Sequence, residues 1–341
     1  MVHKIFDSVH NNLLHWYDQH QRVLPWRAKP GETPNPYYVW LSEVMLQQTT
    51  VATVQDYFLR FIARWPTLHH LSKASLDDIY HQWQGLGYYS RAKNLHACAL
   101  SLSKFPQIPD HPEELIKLPG IGTYTSASIA SIAYDYPIIP VDGNITRVMA
   151  RLIAIATPLP KLKDLVSDLV SPYRPKRSGD FAQSLMDLGA TICTPKSPKC
   201  DRCPIIANCL AYHQKVQDQI PAKAAKSEKP TRYAYAYWDE DPSQGIAFVR
   251  RPAKGLLANL MTLPTSDWVN HEQELPPLDQ GQILLDGQIK HVFTHFTLIL
   301  RCVKQLSHSN YSGMRYPKQS IQNLALPTLM TKLIKHYKII I

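Results

Sequence analysis

Four cysteines stand within seventeen residues, Cys193, Cys200, Cys203 and Cys209, spaced C-x6-C-x2-C-x5-C. Thiolates that close can surround one compact metal centre. Zinc sites are usually built from two short-spaced pairs, and here only Cys200 and Cys203 form one. The wider gaps suit a 4Fe-4S cluster better, although spacing alone leaves both open. Lys196, Lys199 and Arg202 lie inside the loop, where they either offset cluster charge and reach phosphates or form a solvated face.

Two acids stand apart from the general run of carboxylates. Glu43 sits in an apolar helical stretch with Trp40, Val44 and Gln47 at neighbouring helical spacings. Burial there would raise its pKa and keep it protonated as a general acid, whereas a solvent-facing Glu43 on an amphipathic helix would do no chemistry. Asp142 lies twenty residues beyond Gly122 in PVDGNITRV. Residues 113–134, EELIKLPGIGTYTSASIASIAY, read as a short helix, a tight turn at Leu118–Gly122 and a second helix. Gly120 and Gly122 permit positive φ and close approach of a phosphate, and the helix that follows points free N–H groups at it. A plain turn is the competing explanation. An acid at 142, preceded by an apolar helix, can face a sugar held by such a hairpin.

The elements that would carry these residues are mostly helices. Up to residue 213, apolar residues recur at three- and four-residue steps (Val39, Trp40, Val44, Val51, Val54, Phe58, Phe61), predicting about ten helices and no strong strand. Residues 214–230 are polar and rich in Lys, Ala and Pro, as in a linker. From 231 to 341, runs such as TRYAYAYW and HVFTHFTLILRCV are aromatic and β-branched, predicting a smaller α+β domain that ends in a helix over 327–340. Cys98 and Cys302 stand alone and read as buried structural residues.

Composition bounds the rest. The chain has 341 residues, 45% hydrophobic and 19% charged, which is globular composition and predicts two domains. An excess of 37 basic over 27 acidic residues, +10, favours a polyanionic partner. No run approaches the ~18 apolar residues of a membrane span. The first twenty residues lack the apolar core of a signal peptide. An intracellular, reducing compartment is therefore expected, where cysteines serve metals rather than disulfides.

LPGIG at 118–122, VDGN at 141–144 and the four-cysteine loop together resemble the endonuclease III superfamily of DNA glycosylases. Within it, LPWR at 24–27, WLSEVMLQQT at 40–49 and GLGYYSRAKNLH at 85–96 resemble the adenine glycosylase (MutY) branch. MDLGATICTP at 186–195 leads into the cysteines as it does there. The resemblance covers residues 10–213 almost without a break, apart from an insertion at about 28–36.

The resemblance implies a mainly α helix-hairpin-helix glycosylase, residues 1–213, with two helical subdomains and one 4Fe-4S cluster on the cysteine loop. It implies a C-terminal α+β Nudix-like domain, residues 231–341, that recognises 8-oxoguanine. The substrate would be double-stranded DNA carrying adenine opposite 8-oxoguanine or guanine, bound by a monomer in the cytoplasm, on the nucleoid if the source is bacterial. Glu43 would protonate the base and Asp142 stabilise the oxocarbenium-like sugar, assisted by Tyr124 and Asn144. Bifunctional relatives carry Lys at the position of Tyr124 and cut the backbone through a Schiff base, so a monofunctional enzyme is expected.

Gln48, Thr49, Leu86 and Tyr88 would open or fill the base stack, Gly120 and Gly122 would hold the strand, and Leu24, Trp26 and Arg27 would form part of the base pocket. Asp187 occupies a pocket position where the family often has Glu. Phe293, Thr294 and His295 resemble the family's Phe-Ser-His lesion loop with Thr for Ser, which keeps the hydroxyl. GLLANLMTLP at 255–264 lacks the Trp-Gly-Gly common there, and no Glu-rich Nudix hydrolase run is present, so pyrophosphatase activity is not expected. The competing readings are an endonuclease III-like glycosylase/lyase, disfavoured by Tyr124, Glu43 and the extra domain, and a non-catalytic damage binder, which would need neither acid.

Overall fold

A computed structural model describes residues 2–222, 228–306 and 313–339. Among these, helices fill the chain up to residue 213: α1 (Val2–His20), α2 (Pro36–Leu46), α3 (Val51–Arg64), α4 (Leu68–Ser72), α5 (Leu76–Trp83) and α6 (Ser90–Leu102). They continue with α7 (Pro112–Leu115), α8 (Thr123–Tyr134), α9 (Gly143–Leu152), α10 (Lys161–Val170), α11 (Ser178–Thr191) and α12 (Leu210–His213). Three of these twelve, α4, α7 and α12, are single turns of four or five residues, too short to show a period. No described helix is long and apolar enough to cross a membrane.

The chain divides into two compact units, residues 1–73 with 94–225, and residues 74–93 with 226–341. Residues 74–93, expected within the helical domain, thus group with the C-terminal part.

In the first unit the centre is set by composition. α2 is started by Asn35, whose Oδ1 accepts the Tyr37 amide at 3.0 Å, and by Pro36 in its first turn. Tyr37 and every residue from Val39 to Met45 are buried, so this helix runs through the core instead of lying on it. α8 carries the small residues of TYTSASIASIAY, buried from Thr125 to Ala133, and they let α2 and α11 pack against it closely. α11 is buried from Phe181 through Gly189 and also packs on α9 and α1.

Part of the expected linker is not free chain. Ile220 is buried and its carbonyl accepts Arg151 Nε at 2.8 Å, which ties the segment to α9. Residues 223–227 of that linker lie outside the described residues.

The second unit is built on a mixed sheet. β1 (Thr231–Asp241) and β6 (Thr297–Gln305) are parallel, in register from Thr231 opposite Thr297 to Asp239 opposite Gln305. The path is β3 (Met261–Thr262), β2 (Gly245–Arg250), β1, β6, β4 (Gln282–Leu284), with β5 (Ile289–Val292) on β6 and β7 (Met314–Tyr316) on β2. α13 (Thr328–His336) buries Leu329, Met330 and Leu333 in a core with Ala234, Phe248, Leu298 and Leu300. Residues 74–93 are bound into this unit by polar contacts. Arg250 pairs with Asp77 at 2.9 Å, and Gln84 Nε2 and Tyr89 Oη both donate to the Leu326 carbonyl.

Candidate active site

Glu43 enters the site because α2 is buried on every side; its residue is only 7% exposed. Burial pushes its carboxyl above the ordinary range, opposed by the Ser128 and Tyr124 hydroxyls and reinforced by the nearby Asp142. Ser128 and Tyr124 are one turn apart on α8, so the helix period itself brings both toward one acid.

Asp142 is fixed differently, as the N-cap of α9. Its Oδ1 accepts the Ile145 amide at 2.7 Å and its Oδ2 accepts Asn144 Nδ2 at 2.9 Å. Burial raises its pKa too, against the pull of those donors. The phenol of Tyr124 is pushed well above its usual value by burial and by Glu43 and Asp142, so it stays neutral.

A cavity of about 750 Å³ brings these groups together. Its walls include Glu43, Tyr124, Asp142, Asn144, Gln48, Thr49, Gly122, Leu24, Trp26 and Arg27. Of the expected catalytic, base-pocket and DNA-contact positions within the first unit, Gly120 and Asp187 do not line the cavity. Asp187 is fully buried behind the wall and is saturated by two arginines. It accepts Arg22 Nε at 2.5 Å and N at 3.1 Å, and Arg27 Nη1 at 2.7 Å and Nη2 at 2.8 Å. It therefore fixes Arg22 and Arg27, both of which line the cavity.

Arg22 and Gln183, which also line the cavity, were missed in the sequence. Arg22 has only its place two residues before Leu24-Pro25-Trp26-Arg27 to mark it, and Gln183 only its place one turn before Asp187.

The hairpin turn corrects one expectation. Gly120 does have a left-handed φ of +76°, and a Cβ there would lie 2.6 Å from the Asn94 side chain. Gly122 has φ −98° and ψ −177°, ordinary extended backbone. What distinguishes Gly122 is open space where a Cβ would be, at the N-terminus of α8. Gln48, between α2 and α3, and Tyr88, before α6, both hold left-handed backbone at φ 57° and 46°, uncommon for residues with side chains.

An unbroken polar chain links α9 to the cysteine loop. Arg147 Nη2 donates to Asn144 Oδ1 at 2.9 Å and to the Gly189 carbonyl at 2.7 Å, and Arg147 Nε donates to the Cys193 carbonyl at 2.8 Å. Arg151, buried on the next turn, donates to Cys193 Sγ at 3.3 Å and to the Thr194 carbonyl at 2.7 Å. The four cysteines and Arg151 line one cavity, and Lys196, Lys199 and Arg202 are exposed around it. Burial and mutual repulsion push the thiols of Cys200 and Cys209 up, and that of Cys203 to about 12. Thiolates at those positions need a strongly cationic centre among them. Among the described residues no three His, Cys, Asp or Glu side chains close on a single-ion site. The four sulfurs around one cavity are a tetrathiolate donor set of the kind that holds a metal centre.

In the second unit, Phe293, Thr294 and His295 form the turn between β5 and β6. Thr294 Oγ1 donates to Tyr88 Oη at 3.4 Å, so two expected contact residues from distant sequence positions meet within that unit. Leu86 is buried and its carbonyl accepts Arg91 Nη2 at 3.2 Å, while Tyr88 is 45% exposed. Phe293 stacks on Trp268 with ring centroids 6.0 Å apart.

Comparison with known proteins accounts for both units. Residues 41–171 match the HhH-GPD superfamily base excision DNA repair proteins, and residues 234–336 match the NUDIX domain. The adenine DNA glycosylase of Rattus norvegicus is 35% identical over 96% of this chain and 77% of its own length. That of Buchnera aphidicola subsp. Schizaphis graminum is 33% identical over 96% of this chain and 97% of its own. Among solved structures, a thermostable thymine-DNA glycosylase superposes with a TM-score of 0.53 at 24% identity, covering 62% of this chain and 98% of its own. An endonuclease III in a non-covalent DNA complex superposes with a TM-score of 0.51 at 22% identity, covering 64% and 99%. The fold is thus that of the helix-hairpin-helix glycosylases with a Nudix-like sheet domain appended, and the chain belongs to the adenine DNA glycosylase family of the HhH-GPD superfamily.

Proposed function

We propose that this enzyme, an adenine DNA glycosylase of base excision repair, hydrolyses the N-glycosidic bond of adenine mispaired with 8-oxoguanine or guanine, with Glu43 as general acid and Asp142 facing the sugar. The observation that carries the reading is the pairing of two buried acids with different surroundings on one cavity. Glu43 is raised by desolvation in an apolar helix, which suits an acid that must hold its proton at neutral pH. Asp142 is held by a backbone amide and by Asn144, donors that favour its charged form.

The reaction asks for that division of labour. Glu43 gives its proton to the adenine ring as the bond to the sugar breaks. Asp142 offers negative charge to the oxocarbenium-like sugar and water completes the hydrolysis. Tyr124, neutral and unable to form a Schiff base, leaves an abasic site with the strand intact. Leu24, Trp26 and Arg27, with Arg22 and Gln183, frame the flipped base. Gly122 and the first amides of α8 receive a backbone phosphate, with Gly120 shaping the turn. Gln48, Thr49, Leu86 and Tyr88 meet the opened stack, and Phe293, Thr294 and His295 meet the opposing base. Leu86, buried as it stands, reaches the stack only if the turn around Gly85 and Gly87 moves.

Cys193, Cys200, Cys203 and Cys209 would hold one 4Fe-4S cluster, in keeping with four half-buried sulfurs around one cavity beside the Arg151 guanidinium. When bound, such a cluster cross-links the loop through iron–thiolate bonds and brings one-electron redox chemistry.

Single-turnover cleavage of a duplex with adenine opposite 8-oxoguanine, and of an adenine–thymine control, tests the reading when each reaction is split with and without alkali. Product from the lesion duplex alone, visible only after alkali, is the expected result. Strand breaks without alkali, or tight binding with no product, would sink it.

A further inference from the structure

The second unit contains a cavity of about 310 Å³ that no part of the excision reaction uses. Its walls include Arg232, Arg251, Leu256, Asp267, Trp268 and Phe296. The aromatic faces in it are already covered. The Arg232 guanidinium lies 4.7 Å over the Phe296 ring, the Arg251 guanidinium lies 5.3 Å over Trp268, and Phe293 stacks on Trp268 at 6.0 Å. A nucleobase would find few free ring faces to stack on.

Donors are what this arrangement leaves open. Among the described residues neither Arg232 nor Arg251 forms an ion pair, and Arg251 Nε and Trp268 Nε1 are buried without an acceptor. A guanidinium lying over a ring keeps its N–H donors for other partners, and its fork of donors matches a tetrahedral oxyanion. Asp267 is the one carboxylate in the lining. It is exposed and forms no ion pair with either arginine among the described residues, so the cavity keeps a net positive charge.

We propose that this cavity is a phosphate-binding site, with Arg232 and Arg251 as its ligands. The phosphate is either a diester of a DNA strand engaged by the second unit or a free phosphate or nucleotide. The chemistry is the same, and the two sources differ in how binding responds to DNA and to salt. If the source is DNA, the site deepens the proposed function by adding a strand contact beside the Phe293–His295 turn.

The test uses the full chain and three variants: Arg232→Gln with Arg251→Gln, the same pair changed to Lys, and Leu256→Glu. Leu256 is 41% exposed, so a carboxylate there repels an anion at the cavity without disturbing the stacks. Two quantities are read, the affinity for pyrophosphate by calorimetry and the salt dependence of affinity for an undamaged duplex. Each phosphate contact contributes about one unit to the slope of log K against log salt.

If the source is DNA, the double Gln variant and Leu256→Glu each flatten that slope by about one unit, and the Lys variant keeps most of it. If the source is a free phosphate, pyrophosphate binding falls at least tenfold in both while the DNA slope stays. Folded variants, as judged by circular dichroism, that change neither quantity overturn the site. Excision of adenine opposite 8-oxoguanine at saturating enzyme, measured in the same preparations, reports separately on the proposed function, because wild-type inactivity there leaves the phosphate titration unaffected.

Discussion

The cavity of the first unit and the Phe293–His295 turn of the second hold their residues by opposite means. Around Glu43 and Asp142, each side chain is fixed by something that is itself fixed. Asp142 is a helix cap, Asn144 braces it, Arg147 braces Asn144, and Asp187 locks Arg22 and Arg27 from behind. Around Thr294, one 3.4 Å hydrogen bond to an exposed tyrosine is the polar tie from the turn's hydroxyl. A site that must place charge against a developing cation gains from rigidity, since reorganisation at the moment of reaction is what preorganised donors avoid. On the proposed role, a turn that samples many base pairs before finding one lesion gains from a loosely held hydroxyl. The difference makes a graded prediction: changes in the first region should cost large factors in rate, and changes in the second small factors in affinity.

The largest effects should come from the acids. Asp142→Asn keeps a good N-cap and the shape of the side chain, so the fold and DNA affinity should persist while single-turnover excision falls by about 10³ or more. Glu43→Gln removes general-acid catalysis, worth about 10²–10⁴. The pH dependence follows from the two raised carboxyls. On the proposed roles, excision needs Glu43 protonated and is lost as pH rises through the elevated Glu43 value. On the same proposal it needs Asp142 ionised and is lost as pH falls through the elevated Asp142 value. The alkaline limb should vanish in Glu43→Gln. An acid with a raised folded pKa binds its proton more tightly folded than unfolded, so stability declines as pH climbs above the ordinary Glu range. Glu43→Gln should therefore melt higher than wild type at pH 7, with the gap closing below about pH 4. A lower melting point would mean that Glu43 is held as a carboxylate and that the acid assignment is wrong.

Next in size is Asp187→Ala. It strands Arg27, whose side chain is 8% exposed, and Arg22, at 27%. Breaking a buried pair by removing one partner typically costs about 3–5 kcal/mol, less here to the extent that Arg22 reaches water. Urea unfolding should show that loss in midpoint without a change in slope. Gly189→Ala should cost less still and act on rate. A Cβ at 189 would lie 2.7 Å from Asn144 Cβ, so Asn144 must shift and its hold on Asp142 loosens. A displacement near 1 Å can lower a rate by up to about 10², and roughly tenfold is expected, with DNA affinity retained.

These residues also show where sequence reading works and where it stops. The gathering of the cysteines is legible because it is local: four of them within one short segment announce themselves by spacing, and the structure places all four around one cavity. Glu43 is only half legible: its own helix pattern leaves a solvent-facing position open, the resemblance at 40–49 singles it out, and the structure buries it. The Asp187 clamp is not legible, since Arg22 lies 165 residues away and no periodicity links the two. The grouping of residues 74–93 with the sheet domain is hidden for a related reason. An amphipathic pattern tells α5 to bury a face, but Asp77 with Arg250 and Tyr89 with Leu326 decide against what. The parallel pairing of β1 with β6 is equally silent, because strand alternation sets the face and leaves the neighbour open.

The smallest expected effect is at Thr294, and it bears most directly on the comparison. Thr294→Ala removes a hydroxyl whose bond to Tyr88 Oη is long and exposed. A neutral hydrogen bond is worth about 0.5–1.5 kcal/mol net in favourable geometry, and this one belongs at or below the lower end. Affinity for a duplex with adenine opposite 8-oxoguanine should fall no more than about threefold through loss of that bond, and excision from the saturated complex should be unchanged. Tyr88→Phe removes the partner from the other side. If the two residues matter only through each other, the double variant should bind as the single variants do, with a coupling of no more than about 0.5 kcal/mol. If Thr294 instead donates to the lesion, Thr294→Ala should lower affinity for 8-oxoguanine duplexes and spare undamaged ones, while Tyr88→Phe does neither. A loss of tenfold or more in the saturated excision rate from Thr294→Ala would break the comparison itself, because this turn would then be part of the rigid machinery that places the adenine.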